Sequence, residues 1–443
     1  MERYESYKDS GVAWIGKVPE HWEVMKTSLL YTNIGSGTTP STSKQEYYED
    51  DGFCWLQTGD LNDGYITDTS KKISKVAIKD CKLRFYPVGS IVIAMYGATI
   101  GKIGLLKVPT STNQACCVLP YSNKMNEIYT FYVCQIAKGQ MLLEAVGGGQ
   151  PNISQDIIKK LKLPVPPICE QQAIAAYLDK RCSEIDNAIA TQQKRIALLQ
   201  ELKQSIITRA VTQGIHPDVP LKESGVEWIG KVPEHWEVRR LKSICQSKKY
   251  AIKTGPFGTQ LKGQDLYPEG DIRVYNQRNV IDDNFNECNF YVTHKKASDL
   301  KSFYTQPNDL LITSRGTIGK CSILPDNVPM GILHPCLIAV RIDQKICTIE
   351  WAKLFIGESN CFATNIFLNS NATTIDVIYT DTLKNVIITI PPVLEQKKII
   401  AYIDQYIKKL DSIIKKANKR IEYLQELRQS VITEAITGKI KVC

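Results

Sequence analysis

The segment Pro166–Gly214 recurs, with modest changes, as Pro391–Gly438. Both copies open on a proline pair (PPICEQQAI and PPVLEQKKI) and near their ends read LQELKQSIIT and LQELRQSVIT. Apolar residues recur in steps of four and three at Leu178, Cys182, Ile185 and Ile189, then at Ile196, Leu199 and Ile206. The second copy keeps the register at Ile403, Ile407, Leu410 and Ile414, then at Ile421, Leu424 and Val431. That spacing is the seam of a coiled coil. The prolines suit helix starts, and Gly214 and Gly438 stand where C-terminal caps belong. The seam is interrupted at matched places, Gln192 and Ala417, then Lys203 and Arg428. Matched polar positions can fix register or can be worn parts of a stripe. Each helix would run about 45 residues, roughly 65 Å. A helix with such a stripe needs a partner, and the other copy is the obvious one. The first helix carries the chain away from one half and the second brings it back, so the expected arrangement is an antiparallel pair acting as a strut.

Two shorter blocks repeat as well. SGVAWIGKVPEHWEV (Ser10 to Val24) returns as SGVEWIGKVPEHWEV (Ser224 to Val238), and GATIGK (Gly97 to Lys102) returns as RGTIGK (Arg315 to Lys320). The offsets are 214, 218 and 225 for the three blocks in order, so a common frame surrounds interiors of different length. Two copies are too few for a solenoid; two homologous domains with pseudo-two-fold symmetry fit better. The expected divisions are residues 1–165, a first domain; 166–214, a first long helix; 215–390, a second domain; and 391–443, a second long helix.

With 443 residues, 43% of them hydrophobic, the chain has enough material for two or three globular cores. No apolar run has the length of a membrane span and no leader is visible, so the expected compartment is the cytoplasm, with no membrane partner. Fourteen cysteines include no C-x-x-C, and the five histidines lack metal-ligand spacing, so no metal site is expected. A net charge of +9 permits a polyanionic partner without establishing one.

The interiors, residues 30–165 and 245–390, alternate short β-branched runs with Gly, Asn, Asp and Pro clusters and read as compact mixed α/β domains. SIVIAMY, ACCVLPY, CLIAVRI and VIITI are expected strands; Glu127–Val146 and Thr348–Ser359 are expected helices. The loops LQTGDLNDG (Leu56 to Gly64) and YNQRNVIDDN (Tyr275 to Asn284) hold comparable places but differ in content. Their Gln, Asn, Arg and Thr side chains are those that read base edges. RRLKSICQSKKYAIK (Arg239 to Lys253) has six cations and no acid, which suits phosphate contact or a solvated surface. Catalytic signatures are missing. GATIGK has three residues and RGTIGK two, not four, between Gly and Gly-Lys, and both lack the following Ser or Thr of a phosphate loop. The proline pairs lack the flanking residues of an amino-methyltransferase, and no dinucleotide, nuclease or hydrolase signature is present.

In order and in duplicate, the WIGKVPEHWEV, TIGK, PP-x-x-EQ and LQEL segments resemble the specificity subunits of type I restriction-modification systems over essentially the whole chain. The resemblance implies two α/β target recognition domains joined by an antiparallel pair of long helices, each domain reading half of a split, asymmetric target in double-stranded DNA. It implies two modification (methyltransferase) subunits as partners, with restriction subunits in some assemblies. The chain itself would be non-catalytic and hold no cofactor, while the partners would use S-adenosylmethionine, and ATP with magnesium. Within this reading the expected DNA contacts are Gln57, Thr58, Asn62, Tyr96, Thr99 and Lys102 in the first domain. In the second they are Lys248, Lys249, Lys253, Asn276, Gln277, Arg278, Asn279, Arg315, Thr317 and Lys320. For the TIGK segments the alternative is a structural turn that needs Gly101 and Gly319. Trp14, Trp22, Trp228 and Trp236 are expected to pack the lead-in segments against the helices. A coiled-coil scaffold with two protein-binding domains and no DNA readout is the competing function.

Overall fold

The computed structural model describes residues 2–146, 151–248, 250–368 and 377–442. The two long helices are present: α1 spans Ile168–Gln213 and α2 spans Val393–Ile436. Contacts divide the chain into two compact units, Met1–Gln192 with Asn418–Cys443, and Gln193–Ala417. Each unit therefore contains the first part of one helix and the last part of the other.

Within unit 1, Trp22 touches both ends of this arrangement. Its Nε1 donates to Glu170 near the start of α1, and its ring abuts Gly438 just past the end of α2. Further along α1, Asp186 meets Arg428, which lies earlier on α2, at 3.0 Å. The two segments thus run antiparallel. Unit 2 repeats the arrangement with the roles exchanged. Trp236 bonds Glu395 near the start of α2 and abuts Gly214 past the end of α1, while Lys203 meets Asp411 at 2.9 Å. Lys203 and Arg428 are the matched interruptions of the seam, and Asp186 and Asp411 match each other too. These polar positions are cross-helix ion pairs. Both pairs are partly exposed, so their contribution to stability is small. Arg428→Ala is expected to lower stability by at most about 1 kcal/mol, read by chemical denaturation of the full chain; a loss of several times that would show the pair to carry the packing itself.

The starts of both helices are built alike. Glu170 accepts from Trp22 Nε1 (3.0 Å) and the Tyr4 hydroxyl (2.9 Å), and lies 2.7 Å from His21 Nε2. Glu395 accepts from Trp236 Nε1 (3.1 Å) and lies 2.7 Å from His235 Nε2. Burial pushes the Glu170 carboxyl up, but the bonds from Trp22, His21 and Tyr4 outweigh it and hold it below the usual range. The adjacent glutamines are buried. Gln171 donates to the carbonyls of Pro166 and Lys124 and accepts from Asn126 N–H; Gln396 donates to Pro391 and Ile346 and accepts from Thr348 N–H. The repeated tryptophans are packing residues. Trp22 and Trp236 are fully buried, and Trp14 and Trp228 lie partly buried against the same cores. At Gly438, with φ +68°, a Cβ would stand 2.4 Å from the Pro19 ring, so only glycine closes this helix end.

Each unit centres on a small, mainly antiparallel sheet. In unit 1, β1 (Ile91–Ala94), β2 (Ile103–Leu106) and β3 (Cys116–Leu119) form it with Gly35–Ser36 at one edge and Gly64–Ile66, parallel to β2, at the other. In unit 2, β4 (Leu310–Thr313), β5 (Cys321–Ile323) and β6 (Leu337–Val340) are joined by Ile252–Thr254. The central strands are buried along their length because both faces are covered. Ile91, Ile93, Ile103, Leu105, Cys117 and Leu119 join the core that includes α1, whereas Val92, Ala94, Leu106, Cys116 and Val118 form a second core with Leu56, Leu61 and Tyr86. Alternation along each strand divides its side chains between the two cores. The expected helices are shorter than the periodicity suggested. The first covers Glu127–Leu143. The second is Ile349–Lys353, followed by a wider π-helical turn, Leu354–Glu358.

Candidate nucleic-acid interface

Two connections in each unit come together beside the sheet. One is the hairpin carrying TIGK. It joins β1 to β2 in unit 1 and β4 to β5 in unit 2, and it is a tight turn. Gly101 N–H donates to Ala94 O (2.8 Å) and Gly319 N–H to Thr313 O (3.0 Å). Gly101 and Gly319 take φ of +72° and +79°, so the turn needs both glycines, which leaves its other side chains available.

The second connection is the polar loop that follows Leu56 or Tyr275. Its first turn is closed by a side chain three residues on: Gln57 N–H donates to Asp60 (2.8 Å), and Asn276 N–H to Asn279 (3.0 Å). Its end is pinned by an aspartate with left-handed backbone, Asp63 (φ +61°) or Asp283 (φ +48°). Asp63 accepts from Ile103 N–H of β2 at 2.9 Å and lies 3.9 Å from Lys138. Asp283 accepts from the Ser322 hydroxyl of β5 and pairs with Lys353 at 3.3 Å. These aspartates and lysines were not among the expected site residues, yet the aspartates tie each polar loop to the second strand of its hairpin, and the lysines tie the aspartates to a neighbouring helix. In unit 2 the two connections also meet directly, Gln277 Nε2 donating to Thr317 O at 3.4 Å.

The expected contacts divide by environment. In unit 1, Asn62 is exposed; Gln57, Thr58, Thr99 and Lys102 are half-buried; and Tyr96 rests on the main core. Thr99 also accepts a turn bond from Lys102 N–H through its carbonyl. In unit 2, Lys248, Arg278, Arg315, Thr317 and Lys320 are exposed and Gln277 is half-buried. Lys249 lies outside the described residues. Asn276 and Asn279 are placed differently from the other expected contacts. Both are buried, and the Asn279 amide is spent on the carbonyls of Asn284 and Glu287 and on Asn276 N–H. The Asn276 side chain caps the following turn at Arg278 N–H. Both build the loop, and the Asn279 amide has no free edge to offer a base.

Two cations of the basic stretch are already engaged within the fold. Arg239 pairs with Glu237 within a strand, and Lys253 is held over the rings of Phe303 (4.1 Å) and Tyr250 (4.5 Å). Burial, and then the charge of Arg341, lowers the Lys253 ammonium below its ordinary value. Arg278 is partnered by Asp282 at 3.2 Å. Among the described residues no cluster of His, Cys, Asp and Glu is placed to hold a metal ion, and no helix is long and apolar enough to cross a membrane.

The sequence pattern of the type I restriction modification DNA specificity domain matches twice, over residues 19–201 and 233–423. The chain belongs to that family. It is similar to the specificity subunit of the type I restriction enzyme MjaVIII from Methanocaldococcus jannaschii, with 26% identity over 439 residues covering 96% of this chain and 94% of the relative. The EcoKI specificity subunit from Escherichia coli (strain K12) is 23% identical over 447 residues, covering 96% and 90%. Among solved structures, a chain from a study of complex assembly and conformational transition of the type I R-M system superposes with a TM-score of 0.72 at 16% identity, covering 96% of this chain and 99% of that one. The HsdS subunit from Thermoanaerobacter tengcongensis superposes with a TM-score of 0.52 at 17% identity, covering 96% and 98%. At these identities the structural likeness is one of fold.

Proposed function

We propose that the chain is the DNA-recognition subunit of a type I restriction-modification complex, each unit reading one half of a split, asymmetric duplex target. One observation carries the reading. The frame residues are the same in both units, whereas the side chains at the loop–hairpin junction differ. Thr58 and Gly59 hold the places of Gln277 and Arg278, and Tyr96 holds that of Arg315. A shared frame with divergent, exposed, hydrogen-bonding tips suits two different half-sites. The exposed set comprises Asn62 in unit 1 and Arg278, Arg315, Thr317 and Lys320 in unit 2, with half-buried Gln277 beside them and Lys248 available to phosphate.

The complex acts in the cytoplasm, this subunit performing no chemistry and holding no cofactor. Two modification subunits bring S-adenosylmethionine, and restriction subunits, where present, bring ATP with magnesium. Support for two identical partners comes from matched exposed apolar pairs on the long helices, Leu198 with Leu202 in unit 2 and Tyr423 with Leu427 in unit 1. Adenine-methylation sequencing of cells expressing this chain with its neighbouring modification gene tests the function. A split, asymmetric motif that vanishes when only this chain is removed is the expected result; an unchanged methylation pattern overturns the reading.

A further inference from the structure

Arg315 differs from the other arginines near the interface. Arg278 is paired with Asp282, Arg341 with Asp309, and Arg273 is bonded to the carbonyls of Phe285 and Asn286. Among the described residues Arg315 has no carboxylate partner. Its guanidinium instead lies 5.5 Å from the centre of the Phe257 ring. Its backbone is fixed on both sides. Ser314 N–H donates to Cys336 O (2.9 Å), Ile378 N–H donates to Ser314 O (2.8 Å), and Arg315 bridges to Val377.

Phe257 is itself 48% exposed, so its ring is open to solvent beside the guanidinium. The loop that carries it is seated on the sheet. Gly255 N–H donates to Leu337 O at 3.0 Å, and a Cβ at Gly255 would stand 2.2 Å from His334 O. Phe257 N–H donates to Gln260 Oε1 at 3.2 Å. Ring and guanidinium therefore belong to two separately anchored elements that meet at solvent, beside the Gln277–Thr317 junction. A long side chain loses rotamer freedom on binding, and resting on a ring removes part of that loss beforehand. The guanidinium fork matches O6 and N7 of guanine, the two acceptors that base presents in the major groove.

We propose that Phe257 is a positioning residue for Arg315, and that the pair sets a guanine preference in the half-site served by unit 2. This rests on the DNA-recognition reading above. Unit 1 has Tyr96 at the equivalent place, next to Met95, whose backbone bonds match those of Ser314, and so has no arginine counterpart of this reader.

The test uses the complex with its modification subunits and duplexes carrying the methylation-defined motif, each base pair substituted in turn. Arg315→Ala is expected to lower the preference for one G·C pair by about ten-fold or more, with the other half-site unaffected. Phe257→Ala should lower the same preference by about two- to five-fold, and Phe257→Tyr should restore it. In the Arg315→Ala background, Phe257→Ala should add nothing, because its effect passes through the arginine. An affected half-site without a G·C pair overturns the proposal. So does uniform weakening across all sequences on Arg315→Ala, the mark of a phosphate contact, or a Phe257→Ala effect that persists without the arginine. Absence of any sequence preference in the unsubstituted complex would instead overturn the DNA-recognition reading itself.

Discussion

Trp236→Ala is expected to lower the stability of unit 2 by roughly 3–5 kcal/mol, the range for removing a fully buried aromatic side chain. The ring is entirely covered, stands edge-on to Trp351 with centroids 5.8 Å apart, and closes over Gly214. Its Nε1 is one of the groups that hold Glu395 at the start of α2. Truncation thus opens a cavity where the lead-in segment, the end of α1 and the start of α2 converge, and removes a donor from a partly buried carboxylate. Trp236→Phe should be milder, since it keeps most of the volume and loses the N–H. Hydrogen exchange on the full chain reads the effect by region. Amides of the strand Glu237–Arg240, which pairs with Ile387–Ile390, should lose protection, while those of unit 1 keep theirs. A Trp236→Ala chain with unit 2 protection within a factor of a few of the parent would refute the packing role.

The same tryptophans show how much of the structure was legible in the sequence. A phrase repeated with one difference in fifteen residues signalled frame rather than readout, and Trp22 and Trp236 do pack against the long helices. The seam was equally legible: its apolar positions are buried or half-buried along both helices. What stayed hidden was the identity of partners far away in sequence. Nothing local marks Glu170 as the acceptor for Trp22 or Gln171 as the link to Asn126. Only the recurrence of E-Q after each proline pair hinted at a shared duty.

The polar loops were legible as a place but not residue by residue. Composition suggested that every Asn, Gln and Arg of Tyr275–Asn284 was available, whereas closing the loop consumes Asn276 and Asn279. Short loops satisfy their own backbone first, and Asn is suited to that task. The pinning aspartates had a faint signal, since N-D-G and D-D-N are steps that tolerate left-handed backbone. Lys253 looked like a solvated cation because periodicity carries no information about rings brought in from other segments. Strands β1 and β4 read as apolar runs, but two-sided burial depends on cores assembled from distant elements.

Arg341→Leu is expected to destabilise unit 2 by roughly 3–5 kcal/mol, the usual consequence of leaving one partner of a buried ion pair uncompensated. Asp309 is 1% exposed and precedes β4, the strand that leads to Arg315. Arg341 donates to it through Nε at 2.8 Å and also bonds Tyr304 O. Burial already pushes the Asp309 carboxyl above its ordinary range, against the opposing effects of Arg341 and Gln306 N–H. Removing the guanidinium raises it further. A carboxyl whose folded value exceeds its unfolded value binds more protons when folded, so the associated stability is present in acid and is lost as pH rises through the folded value. The deficit of Arg341→Leu should therefore be smallest at mildly acidic pH and largest at neutral pH. In unit 1 the strand β1 is preceded at the equivalent place by buried Ser90, whose hydroxyl donates to Pro87 O, so the frame accepts a neutral residue there. Asp309→Ser combined with Arg341→Leu should accordingly recover most of the loss and flatten its pH dependence. Urea denaturation of the three variants at acidic and neutral pH decides it: a double variant as unstable as Arg341→Leu would show that the arginine acts through its packing and its bond to Tyr304 rather than by neutralising Asp309.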